Sequence, residues 1–265
     1  NTNERSRRDD TDPPGAELLR WEEELQREYV IYERLSLPDI FQHFSSIVKH
    51  PHSHTPRFVI LGPPGSGKTT LIQYLGWLAV TGSLHIDAPP LITARVQLRE
   101  WETWTLSDKN KGQGFVQYLT ERHVHIPQAP KAEHWQRWLS QGEVLLLFDG
   151  LDEITNHPVF HNVFKTSLTM FPNCPTVMTC RTVSFARYHA LGPDFPVFML
   201  GGFDDQTRNA YIRAFPVEGR ASYDPEALIS HLDQTTHLSA LTTNPLLLSI
   251  FCYVVRKRQG GSLPD

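Results

Sequence analysis

The chain has 265 residues, of which 40% are hydrophobic and 20% charged, and its formal net charge is −4; this ordinary globular balance gives no electrostatic signal for nucleic acid or an anionic membrane as partner. Its three cysteines, an odd number, contain no CxxC pair; they suggest neither a disulfide framework nor a cysteine-rich metal site and fit a reducing, cytoplasmic setting. No apolar run approaches the roughly 18 to 20 residues that a membrane-spanning helix needs.

The first 15 residues are charged, close on Pro13 and Pro14, and are expected to form a disordered tail. Residues 16–54 read as a helical lead-in, with apolar residues recurring at helical spacing over 17–32 and again over 40–48. From 55 to 203 short apolar runs alternate with helical stretches, the pattern of a parallel sheet covered by helices. Strands are expected at 57–61, 91–98, 143–148, 175–180 and 196–200, and helices at 68–80, 112–122, 132–141 and 157–170. Past Phe203 the strand signals stop, and helices at 205–214, 225–240 and 245–258 form a small all-helical subdomain spanning 204–260. The opening on Asn1 rather than Met, and the stop at SLPD, suggest a piece of something longer.

The strongest chemical signal is GPPGSGKTT, at residues 62–70, which satisfies GxxxxGK[ST] between an expected strand and an expected helix. Gly62, Gly65 and Gly67 allow backbone N–H groups to turn inward around phosphate oxygens, and the positive end of the following helix adds a favourable field. Pro63 and Pro64 fix two φ angles and lower the entropy cost of holding the loop open. Ser66 and Thr70 complete the cofactor-binding segment. Lys68 would neutralise the β and γ phosphates, and Thr69 would offer its hydroxyl to Mg²⁺, a hard cation that prefers oxygen ligands.

A second run, EVLLLFDGLDEI at 143–154, is a buried strand that delivers acids to its carboxyl end, where open α/β sheets bind ligands. Asp149, nearest the strand tip, is the candidate for coordinating Mg²⁺ directly or through water. Glu153, with Asp152, would orient or deprotonate the water that attacks the γ-phosphate. A third run, TVMTCRT at 176–182, ends near Arg181. That cation either reads the γ-phosphate, pairs with Asp149 or Asp152 when nucleotide is absent, or is an ordinary surface arginine. His50, His52 and His54 are expected in a solvated turn, and Trp101, Trp104, Trp135 and Trp138 are expected to pack.

Taken together, GPPGSGKTTLIQYL, LLLFDGLDEI, TCRT and TNPLLLSIFC, in that order, resemble the NACHT family of STAND nucleotide switches. The two acids that begin three positions after the first Asp, with a glycine between, are the feature that separates NACHT domains from other AAA+-related ATPases. The resemblance implies an ATP/ADP site with Mg²⁺, slow hydrolysis, and a conformational and oligomerisation switch in a signalling, immune or anti-phage defence protein. It also implies that Pro245 packs on the adenine, and that a winged-helix domain, a sensor and an effector belong to the parent and lie outside these residues. A constitutive ATPase motor or a P-loop kinase is the alternative. A GTPase is disfavoured, because the nearest match to NKxD, DKNKG at 108–112, lacks the final Asp.

Overall fold

The computed structural model describes residues 40–41, 55–84, 91–155, 157–187, 195–216 and 224–257. The tail at 1–15, most of the lead-in at 16–54 and the three histidines lie outside them. Five strands, β1 (Arg57–Gly62), β2 (Ile92–Gln97), β3 (Val144–Asp149), β4 (Thr176–Arg181) and β5 (Val197–Met199), form one sheet in the order β2-β3-β4-β1-β5. Every pairing is parallel. The α/β fold expected from the alternating runs is therefore present, and each strand falls within a residue or two of its expected position.

Side-chain alternation along the strands sorts the core into two layers. One face carries Val59, Leu61, Ala94, Val96, Leu146, Phe148 and Met178. It is covered by α2 (Leu98–Leu106), α3 (Phe115–Arg122), α4 (Ala132–Gln141) and α5 (Pro158–Met170). At its centre Trp101 is fully buried, with the rings of Phe115, Phe160 and Phe164 at centroid distances of 4.6, 5.3 and 5.8 Å. The expectation that the tryptophans pack is met at Trp101 and at Trp135, which is 2% exposed.

The opposite face carries Phe58, Ile60, Leu145, Leu147 and Val177, and packs on Ile72, Leu75, Leu78 and Ala79 of α1 (Lys68–Val80). Period-2 alternation then places Arg95, Asp149, Thr179 and Arg181 on this same face, the last three at or near the carboxyl ends of their strands and Arg95 in the middle of β2. Register aligns those ends: Gly62 lies opposite Arg181, and Asp149 opposite Gln97. Because β4 separates β1 from β3, its tip sits between the glycine-rich loop and the acidic turn.

Beyond β5, four helices gather round a separate core of Ile212, Leu228, Leu232, Leu248 and Cys252. They are α6 (Asp205–Ala214), α7 (Pro225–Gln234), α8 (Thr236–Leu241) and α9 (Pro245–Lys257). Local capping explains three of their starts. Asp204 accepts from Thr207 N at 2.7 Å, and Asp224 from Glu226 N at 3.0 Å and Ala227 N at 3.1 Å, ahead of Pro225. Asn244 accepts from Leu246 N at 3.0 Å, ahead of Pro245. An N-cap acceptor followed by proline at the first helical position satisfies orphan amides where proline needs no donor.

Two expectations need correction. The helix expected at 225–240 is broken at Thr235, whose φ of −118° and ψ of 88° leave the helical region; consecutive β-branched Thr235 and Thr236 are poor helix interiors. A helix over Leu98–Leu106 was not anticipated. Its buried residues Leu98, Trp101, Glu102 and Thr105 follow i, i+3, i+4, i+7 spacing, but the element is short and continues directly from β2, so the strand pattern masks it.

Candidate functional site

The glycine-rich loop leaves β1 at Gly62 and enters α1 at Lys68. Gly65 and Gly67 hold φ of +77° and +90°, values that favour glycine over any residue with a Cβ. Lys68 Nζ donates to the carbonyls of Gly62 at 2.8 Å and Pro63 at 3.0 Å, so the loop's own backbone holds the ammonium. Burial pushes that ammonium below its ordinary pKa; Asp152 opposes the shift and Arg181 reinforces it. A partly desolvated cation in a glycine-rich turn has the chemistry to attract an anion, since its charge acts in a lowered dielectric. Ser66 Oγ is buried and has no hydrogen-bond partner among the described residues, which fits a group that bonds a ligand.

Asp149, 9% exposed, is fixed from three sides. Thr179 Oγ1 donates to its Oδ1 at 2.9 Å, Thr69 Oγ1 approaches the same oxygen at 3.4 Å, and Arg95 Nη2 lies 3.3 Å from Oδ2. Thr179 Oγ1 also accepts from Gly150 N at 3.0 Å, so one hydroxyl locks both the acid and the turn that follows it. Gly150 sits at φ +82° as the chain enters a 3₁₀ turn over Leu151–Glu153. A Cβ there would stand 3.0 Å from Glu153 Cδ, so the exposed Glu153 leans back over the glycine.

Asp152 is engaged at both oxygens: Arg181 donates through its backbone N at 2.9 Å, and its Nε lies 3.0 Å from the other oxygen. Of the alternatives open for Arg181, this structure contains the pairing with Asp152. The far end of the acidic turn is anchored by the buried Glu102, which accepts from Thr155 N at 2.9 Å and Thr155 Oγ1 at 2.7 Å.

The loop and the acids face one cleft of about 700 Å³, which Arg95 and Glu102 support from outside its lining. Residues 64–70, Asp149, Asp152, Glu153, Thr179 and Arg181 form its polar end, while Tyr74, Leu200, Phe203, Tyr211, Pro245 and Leu246 form an apolar end. Pro245 therefore faces the same space as the glycine-rich loop. Tyr211 Oη and Ser249 Oγ are 2.6 Å apart, and Ser249 Oγ donates to Pro245 O at 2.8 Å. Gly62 and Pro63 do not line the cleft; their carbonyls hold Lys68. Arg95, Glu102, Tyr211 and Asn244 were not singled out from the sequence; only the helical spacing around Glu102 and the Asn-Pro pair at 244–245 carried a signal.

The donors fit Mg²⁺ in kind. A threonine hydroxyl and a carboxylate close together are hard oxygen ligands beside a phosphate-binding loop, and among the described residues no cluster of three or more His, Cys, Asp or Glu competes as a metal site.

A parallel sheet with this loop at the end of one strand, and paired acids beyond another, defines a P-loop nucleoside triphosphatase. Within that class, the family model for the NACHT domain matches residues 57–217, more than half of the chain, and the protein belongs to the NACHT family. It is a nucleotide-binding NTPase module. The matched residues include the loop, Asp149, Asp152, Glu153 and Arg181; Pro245 lies beyond them. No curated protein matches the chain. Among the described residues, no helix is long and apolar enough to cross a membrane.

Proposed function

We propose that this chain is the adenine-nucleotide switch of a larger cytoplasmic signalling or defence protein, with slow Mg²⁺-dependent ATP hydrolysis. Exchange between ADP and ATP would reset the angle between sheet and helical subdomain and so govern self-association of the parent, to which sensor and effector parts also belong. The observation that carries this reading is the shared cleft: the sheet supplies every phosphate-directed group, and the helical subdomain supplies Pro245 and Tyr211 at the apolar end. A ligand bridging two subdomains shifts their equilibrium by its differential affinity for the two arrangements.

In this reading Lys68 neutralises the β and γ phosphates, and Thr69 and Asp149 hold Mg²⁺, which would spread the phosphate charge. Glu153, exposed and next to the cleft, takes a proton from water as the water oxygen bonds to the γ-phosphorus and the bond to the β–γ bridging oxygen breaks, releasing ADP. Asp152 is occupied by Arg181 and serves to position it. A γ-phosphate competes with Asp152 for that guanidinium, which gives ATP and ADP different contacts and lets the switch distinguish them.

The motor alternative would place glutamate directly after the first aspartate. Here that position is Gly150, at φ +82° with Glu153 against it, so a side chain there would be strained and Glu153 would have to give way. A kinase would need a lid of arginines and an acceptor pocket, and the sequence shows no clear lid.

Acid extraction of the purified protein, followed by chromatography of the released nucleotide, tests the reading together with titrations of ADP and GDP. Co-purified ADP, and ADP binding about tenfold or more tighter than GDP, is expected. An empty site with equal affinity for the two would overturn it.

A further inference from the structure

The helical subdomain touches the phosphate loop itself as well as the apolar end of the cleft. Asn244 Nδ2 donates to Pro64 O at 3.0 Å, across 180 residues of sequence. Its Oδ1 accepts from Leu246 N at 3.0 Å and Leu247 N at 3.3 Å, capping α9. Leu246 N also reaches Gly65 O at 3.2 Å. The packing leaves no room for a side chain at 65, where a Cβ would lie 2.9 Å from both Asn244 Oδ1 and Leu246 Cβ. One residue earlier, Thr243 O accepts from Phe203 N at 2.8 Å, so the start of α9 is tied both to the loop and to the segment that follows β5.

We propose that Asn244 is a positioning residue for nucleotide binding, a clasp through which the helical subdomain orients the phosphate loop. The proposal rests on the nucleotide reading above. In a trans peptide the C=O and N–H point to opposite sides. Holding the Pro64 carbonyl outward on Asn244 therefore turns the Gly65 amide the other way, toward the position a phosphate takes in a loop of this kind. The single side chain does two jobs: its oxygen starts the helix that carries Pro245, and its nitrogen fixes the peptide plane of the loop. Any rotation of the helical subdomain must break the second bond, so loop geometry and subdomain angle are coupled through backbone as well as through the base.

The two jobs separate by substitution. Asn244→Ser and Asn244→Asp keep an N-cap acceptor and lose the donor to Pro64 O; Asn244→Ala loses both. In the full 265-residue chain, calorimetric titration with ADP is expected to give about fivefold weaker binding for N244S, the usual effect of one lost hydrogen bond. N244D is expected to bind more weakly again, because a carboxylate oxygen in place of Nδ2 repels the Pro64 carbonyl and turns that peptide plane out of its orientation. Both should melt slightly below wild type, by the one bond lost, and N244A, which loses the cap as well, should melt lower still. Wild-type ADP affinity in N244S and N244D, measured well below their melting temperatures, would overturn the clasp. Lys68→Ala, run alongside, separates the failures: if it abolishes binding while N244S and N244D bind normally, only the clasp falls, whereas normal binding by K68A removes the nucleotide reading as well.

Discussion

The two ends of the cleft are built in different ways. The polar end comes from one contiguous loop and from strand tips whose heights are set by register: Gly62 opposite Arg181, and Asp149 opposite Gln97. The apolar end is gathered from Tyr74, Phe203, Tyr211 and Pro245, residues of separate elements brought together only by the docking of the helical subdomain. Phosphate chemistry demands particular residue types at fixed spacing and so writes itself locally. An apolar pocket for a base accepts many side chains and is specified by packing.

The largest expected effect falls at the polar end. Lys68→Ala removes the ammonium held by the loop carbonyls, and ADP affinity measured by calorimetry should drop by on the order of 100-fold; an unchanged affinity breaks the comparison at its root. Glu153→Gln should leave ADP affinity intact and slow phosphate release by on the order of 100-fold. Normal turnover in that variant would move the base to Asp152 and require Arg181 to leave it.

Gly65→Ala probes the seam between the two ends. At φ +77°, with Asn244 and Leu246 both at 2.9 Å from the new methyl, it should lower the melting temperature and weaken ADP binding about tenfold. Pro245→Ala affects the apolar end alone and should weaken ADP about threefold, with turnover at saturation unaltered; wild-type affinity would remove the base contact. The smallest effect concerns Cys180, whose thiol is pushed up to about 12 by burial. At pH 8 it should resist alkylation in the folded chain and react only after denaturation, when it regains an ordinary pKa near ~8.5.

The same contrast accounts for what could be read from sequence. The five strands, the loop and the acids at 149, 152 and 153 were legible because each is a local pattern with a physical reason. Arg181 was legible as a cation at a strand tip, but its partner was not, since choosing between Asp149 and Asp152 requires the sheet order. Arg95 sits mid-strand with no motif, and its approach to Asp149 depends on β2 lying beside β3. Glu102 belongs to a helix hidden behind the end of β2, and Asn244 looks like a simple cap until the loop 180 residues away is placed against it. Pro245 entered only through the family resemblance.

The central claim is that one nucleotide engages both ends at once, and hydrogen–deuterium exchange with and without ADP tests it most directly. Slowed exchange is expected in residues 62–70 and, at the same ADP concentration, in residues 246–249. Slowing confined to 62–70, with the start of α9 unchanged at saturating ADP, would contradict it.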